Sequence, residues 1–131
     1  MNENDIYREE ILEHYRHPQN FGTMKNPTYE AEAIHPLCGD NILLQLKVNP
    51  KGVVTQVRFS GSGCAISTAS SSIFTEWMLG KTVKKLKTVG TGQIQKLMRA
   101  QIGPARLPCM LLSHVVLQKI LSADASFVSR D

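Results

Sequence analysis

Three consecutive stretches in the first half of this chain alternate apolar and polar residues. Tyr29, Ala31 and Ala33 alternate with Glu30 and Glu32; Ile42, Leu44, Leu46 and Val48 alternate with Gln45 and Lys47; Val53, Thr55, Val57 and Phe59 alternate with Gln56 and Arg58. A period of two places the apolar members on one face of a sheet. The second and third stretches are joined by Asn49-Pro50-Lys51-Gly52, a good turn sequence. The pattern predicts an antiparallel meander whose first strand is an edge.

Either side of the meander the period is helical. Over residues 4–16, Tyr7, Ile11 and Tyr15 lie four apart with Leu12 beside them, Asn4 or Asp5 can cap the start, and His17-Pro18 ends the helix. From Ala65, Ile66, Ala69, Ile73, Trp77 and Leu79 give a second helix that stops at Gly80. A short basic segment, a helix over residues 93–101, a break at Gly103-Pro104 and a last helix over residues 108–121 come next. In that last helix Leu112, Val115, Val116 and Ile120 are predicted to face the core. Strands first and helices afterwards argue for an α+β fold rather than a βαβ parallel sheet, with about four to five helices against the sheet.

The 131 residues fit one domain, 1–131, with 42% hydrophobic and 20% charged residues as in ordinary globular proteins. No apolar run approaches the ~20 residues that cross a bilayer. The first ten residues are too acidic and polar for a secretory signal, so a soluble, cytoplasmic protein without a membrane partner is expected. The net charge of +4 gathers at Lys81, Lys84, Lys85 and Lys87, then Lys96 and Arg99. With few aromatic residues interleaved to stack bases, this run reads as a solvated face or a docking surface for an acidic protein, and nucleic acid is not expected as a partner.

Three cysteines, Cys38, Cys64 and Cys109, are a poor disulfide framework and lie too far apart for a local metal motif. All three sit at predicted element ends. Cys38 is in the turn Pro36-Leu37-Cys38-Gly39-Asp40, Cys64 comes after Ser60-Gly61-Ser62-Gly63, and Cys109 opens the last helix. A thiol at a helix N-terminus faces unpaired N–H groups and the positive end of the helix dipole, which favours the thiolate that binds metal or attacks sulfur. Gly61 and Gly63 let the backbone pass close by, and the small polar run 67–72 could leave room beside Cys64. Asp40 supplies a fourth position, and three thiolates with one carboxylate are a legitimate tetrahedral set for Zn²⁺ or Fe. The carboxylate is the harder, less tenacious partner, which suits a carrier. The plainer reading is three separately buried cysteines, since free cysteine is among the most buried residue types. Of the histidines, His35 is the best spare ligand; His14, His17 and His114 read as hydrogen-bonded surface or core residues.

Taken in order, the motifs resemble the iron–sulfur cluster scaffold family that includes IscU, SufU and the N-terminal domain of NifU. The likeness is carried by residues 7–15 with His17-Pro18-Gln19-Asn20-Phe21-Gly22, by Cys38-Gly39-Asp40, by the run 61–72 around Cys64, and by Pro104-Ala105-Arg106-Leu107-Pro108-Cys109. It implies a SufE/NifU-like fold, a three-stranded antiparallel sheet packed on helices with the metal site at one end. It implies that Cys38, Cys64 and Cys109 accept sulfur from a cysteine desulfurase of the SufS, IscS or NifS type and bind a transient [2Fe–2S] cluster or zinc. Asp40 matches an aspartate that ligates zinc and influences cluster release. Pro-Ala-Arg before the last cysteine is SufU-like, whereas the 44 residues between Cys64 and Cys109 are closer to the IscU interval. Pro108 stands where IscU carries a histidine, and no Leu-Pro-Pro-Val-Lys motif is present.

Two functions are expected in turn. The first is a scaffold that builds a cluster on Cys38, Asp40, Cys64 and Cys109 and releases it to apo iron–sulfur proteins. The alternative is a zinc-dependent sulfurtransferase of the SufU type, with Cys109 as persulfide acceptor and Arg106 assisting docking or exchange. A structural zinc protein acting through its basic face ranks below both.

Overall fold

The computed structural model describes residues 3–35 and 39–122, with side chains from residue 8 onward. Helix α1 (Glu3–Arg16) precedes strands β1 (Tyr29–Ile34), β2 (Asn41–Val48) and β3 (Val54–Ser60). Helices α2 (Ala65–Met78), α3 (Val83–Leu86), α4 (Thr91–Met98), α5 (Leu107–Met110) and α6 (Leu112–Ser122) come after them, with a 3-10 turn (Pro104–Arg106) leading into α5. The predicted α+β architecture is present: a three-stranded antiparallel sheet in the order β1-β2-β3, with Tyr29 opposite Leu46 and Leu44 opposite Phe59. Among the described residues no helix is long and apolar enough to cross a membrane.

One face of the sheet buries Tyr29, Ala33, Ile42, Leu44, Leu46, Val57 and Phe59 against α2 and α6. The predicted pattern of β3 fails at its start, because a bulge opposite Lys47 and Val48 shifts the register there. The extra residue turns Thr55 outward and brings Val54 into the core, leaving Val53 only half-buried. On the opposite face Gln45 is buried yet satisfied: its Oε1 accepts the Met24 N–H at 2.9 Å and its Nε2 donates to Glu30 Oε1 at 2.7 Å.

Helix α2 occupies the middle of the molecule. Ser67, Ser70, Ser71, Ser72 and Thr75 are all buried on it beside Ala69, Phe74 and Met78. Hydroxyls of Ser70 and Ser71 donate to the Ser67 carbonyl, and that of Thr75 to the Ser72 carbonyl. Small, self-satisfied side chains let α1 and the sheet approach closely without stranding polar groups. Tight helix packing is thus a second role for this run, beyond the room beside Cys64 expected of it, while Leu79 of the predicted apolar stripe is exposed.

Two other predicted faces are corrected. In α1, Ile11 is buried but Tyr15 is 45% exposed. The side turned to α2 there carries His14, whose Nδ1 lies 2.7 Å from Ser72 Oγ; the Tyr7 side chain lies outside the described set. The last helix is broken in two at Leu111 (φ −95°, ψ 0°), and the buried stripe of α6 is Leu112, Ser113, His114, Val116, Leu117 and Ile120. At 3.6 residues per turn Val115 falls opposite that stripe and is exposed.

Candidate metal centre

The site forms where β2 begins, β3 ends and α2 starts. Ile34 and Asn41 close the β1–β2 ladder, and the hairpin continues through His35 N–H donating to the Asp40 carbonyl and Gly39 N–H to the His35 carbonyl, at 2.8 and 2.9 Å. Gly39 takes φ +75°, the left-handed conformation a tight return favours. Asp40 is thereby fixed one residue before the central strand.

The chain leaving β3 folds back over this point. Asn41 N–H donates to the Ser62 carbonyl and Asn41 Oδ1 accepts the Ser62 N–H, both at 2.8 Å. Gly61, at φ +123°, passes so near Asn41 that a Cβ there would overlap the Asn41 carbonyl. Only glycine serves both conditions. Sequence reasoning misses Asn41; its one signal is an amide side chain directly after Cys-Gly-Asp.

This latch sets Cys64 as the N-cap of α2, with φ −71° and ψ 172°. Its backbone N–H donates to Asp40 Oδ2 at 3.3 Å. Cys109 comes from the far side, on the one-turn helix α5 packed against α2, rather than opening the long last helix as expected. The ligand atoms of Asp40, Cys64 and Cys109 all lie within 4.8 Å of one another. Asp40 and Cys109 are buried, Cys64 is half-buried, and the two cysteines form no disulfide.

Burial alone would raise the Asp40 carboxyl. The Cys64 backbone N–H and the side chains of Cys64, Ser67 and Cys109 outweigh it and hold the group below its ordinary 3.8. A depressed folded value means that ionised Asp40 adds stability fully present above 3.8 and lost as pH falls through the folded value. In metal-free protein, urea midpoints taken from about pH 5 downward should therefore show wild type ahead of Asp40→Asn by a gap that narrows as pH falls through the folded value. A constant gap throughout would mean that the carboxylate is not what these donors stabilise.

Two thiols and an ionised carboxylate suit a borderline-soft ion such as Zn²⁺ or Fe²⁺. With metal–sulfur and metal–oxygen bonds of about 2.3 and 2.0–2.2 Å, tetrahedral ligands lie roughly 3.5–3.8 Å apart, so the three atoms need close by only about 1 Å to hold one. Cys38 lies outside the described residues. His35 is half-buried and not part of the converging group, and Arg106 is exposed in the 3-10 turn, three positions before Cys109. The remaining histidines have other surroundings. His114 is buried with Nε2 3.0 Å from the Val89 carbonyl, His14 holds Ser72 and approaches Glu76, and His17 is exposed.

Known proteins resemble the chain along most of its length. Residues 6–126 match the model of the NifU-like N-terminal domain. The chain is 33% identical over 111 residues to the iron–sulfur cluster assembly scaffold protein IscU of Azotobacter vinelandii, covering 82% of this chain and 85% of that one. It is 31% identical over 127 residues to the IscU scaffold protein of Escherichia coli K12, covering 95% of both. Among solved structures, a candidate iron–sulfur cluster scaffold of the SUF system from Fervidobacterium islandicum superimposes with a TM-score of 0.74 at 26% identity, covering 92% of this chain and 99% of that one. The N-terminal part of a NifU-like protein from Brucella abortus shares the fold, with a TM-score of 0.74 at 24% identity over 94% of this chain and 96% of that one. The span matched by the family model takes in both cysteines of the centre and the aspartate between the first two strands, and the chain belongs to the NifU-like N-terminal domain family.

Proposed function

We propose that this protein is an iron–sulfur cluster assembly scaffold that receives sulfur and iron as cargo on Cys38, Asp40, Cys64 and Cys109. The observation that carries this reading is the convergence of Asp40, Cys64 and Cys109 from three separate parts of the chain onto one point. Cys38 completes the set: it is two positions from Asp40, so their Cα atoms are at most about 7 Å apart. Relatives named as iron–sulfur scaffolds support the same conclusion. The cargo is a transient [2Fe–2S] cluster, with Zn²⁺ or Fe bound in its absence. The sulfur donor is a cysteine desulfurase, the recipients are apo iron–sulfur proteins, and the compartment is the cytoplasm.

A second reading is a zinc-dependent sulfurtransferase, favoured by the likeness to the SUF-system structure and by Pro108 preceding Cys109. In it the Cys109 thiolate attacks the outer sulfur of the desulfurase persulfide, the S–S bond breaks, and the desulfurase thiolate leaves. Cys109 is only 5% exposed, so it reaches a partner only if the segment before it moves. The exposed Arg106 would then guide docking. Desulfurase turnover separates the two: a rise with wild type that vanishes in Cys109→Ser supports transfer to Cys109, and an equal rise with the variant removes that role.

A further inference from the structure

The Ser67 hydroxyl lies beside the centre, 1% exposed, at the end of the first turn of α2. It has one proton and two acceptors within reach: the Cys64 carbonyl at 3.2 Å and the Asp40 carboxylate. The Cys64 carbonyl already accepts the Thr68 N–H of the helix at 3.0 Å, so it remains satisfied without Ser67. Asp40 is in a different position. Its Oδ2 accepts the Cys64 backbone N–H at 3.3 Å, and the Ser67 hydroxyl is among the side chains that stabilise the carboxylate.

Gly63 keeps the position open. A Cβ there would overlap the Ser67 hydroxyl and stand 3.6 Å from Asp40 Cγ. Glycine at 63 thus admits one hydroxyl between the turn and the carboxylate.

We propose that Ser67 is a positioning residue: its hydroxyl turns from the Cys64 carbonyl to Asp40 and holds the carboxylate toward the metal. This rests on the reading of Asp40, Cys64 and Cys109 as ligands. Outer partners of metal-binding carboxylates typically contribute 10–100-fold in affinity, and Ser67→Ala removes one oxygen without adding bulk.

The test is anaerobic competition for zinc against a chromophoric chelator, with the sulfur-to-cobalt charge-transfer band of the Co²⁺ form as a second readout. Ser67→Ala is expected to weaken zinc binding about tenfold or more while the charge-transfer band, which reports the thiolates, persists. In an Asp40→Asn background the same substitution should change nothing further. Gly63→Ala, which displaces the hydroxyl without removing it, should reproduce the loss. Unchanged affinity in Ser67→Ala, or an equal loss in both backgrounds, would overturn the role of Ser67 while leaving the centre intact. A wild-type protein with no charge-transfer band would overturn the centre and Ser67 together.

Discussion

Replacing Cys64 by serine is expected to cut zinc or cobalt affinity by more than about 100-fold, beyond the loss of an outer hydrogen-bonding partner, without destabilising the metal-free fold. These two effects separate because of where Cys64 sits. As N-cap of α2 it makes no side-chain capping bond, so the helix loses none when the thiol is removed. Serine is a preferred N-cap and can accept from the first turn, which adds rather than removes stability. The hydroxyl is nevertheless a poor substitute for a thiolate toward a borderline-soft ion. Chelator competition and a thermal melt of the same preparation read the two effects independently. Wild-type affinity in the variant would remove Cys64 from the ligand set; a large drop in melting temperature would mean that its role is structural.

The largest effect on stability is expected at Phe74. Its side chain is fully buried, stacked on Trp77 with ring centroids 5.9 Å apart, and tilted against His114 at 6.4 Å. Phe74→Ala loses both the transfer free energy and the packing around the cavity, about 3–5 kcal/mol. Since small domains are stable by only about 5–15 kcal/mol, the variant should be close to unfolding. Urea denaturation of metal-free protein measures this directly, and a loss under about 1 kcal/mol would mean that α2 repacks freely over the sheet. Trp77 has a second contact, with Lys81 Nζ 4.9 Å from its ring, so fluorescence changes should be checked against circular dichroism.

Much of the fold is legible in the chain because the strands are half-buried and alternate cleanly. Alternation in β2, with Leu44 and Leu46 fully buried, marks the face, and Asn49-Pro50-Lys51-Gly52 marks the hairpin. Bulges leave no such mark, which is why strict alternation puts Val53 inward in β3 where the structure buries Val54. Helix α2 is harder for a different reason. A pattern read from large apolar residues points to Ile66, Ile73 and Trp77, which are only half-buried. The face that packs most tightly is made of serines whose hydroxyls bond within their own helix. Hydropathy cannot distinguish such serines from exposed ones, because the difference lies in where the proton is donated.

The centre itself is readable as a donor set but not as a geometry. Thiol and carboxylate chemistry singles out Cys38, Asp40, Cys64 and Cys109, and among the described residues the fold brings the last three together. What holds them there is a second layer the sequence displays only as commonplace residues. Asn41 ties the ends of β2 and β3, Gly61 allows the close crossing, and Ser67 reaches the carboxylate. The bend at Leu111 that separates α5 from α6 is likewise hidden, since residues 107–122 contain no internal glycine and Pro108 sits where a helix tolerates it.

The most direct measurement is an anaerobic absorption spectrum of the protein after incubation with ferrous iron, cysteine, a reductant and a cysteine desulfurase, and then after addition of an apo-ferredoxin. A scaffold should show visible sulfur-to-iron charge-transfer bands that are lost in Cys64→Ser and that pass to the ferredoxin. Zinc retained on the wild-type protein with no visible bands, together with raised desulfurase turnover, would contradict the scaffold and leave the sulfurtransferase in its place.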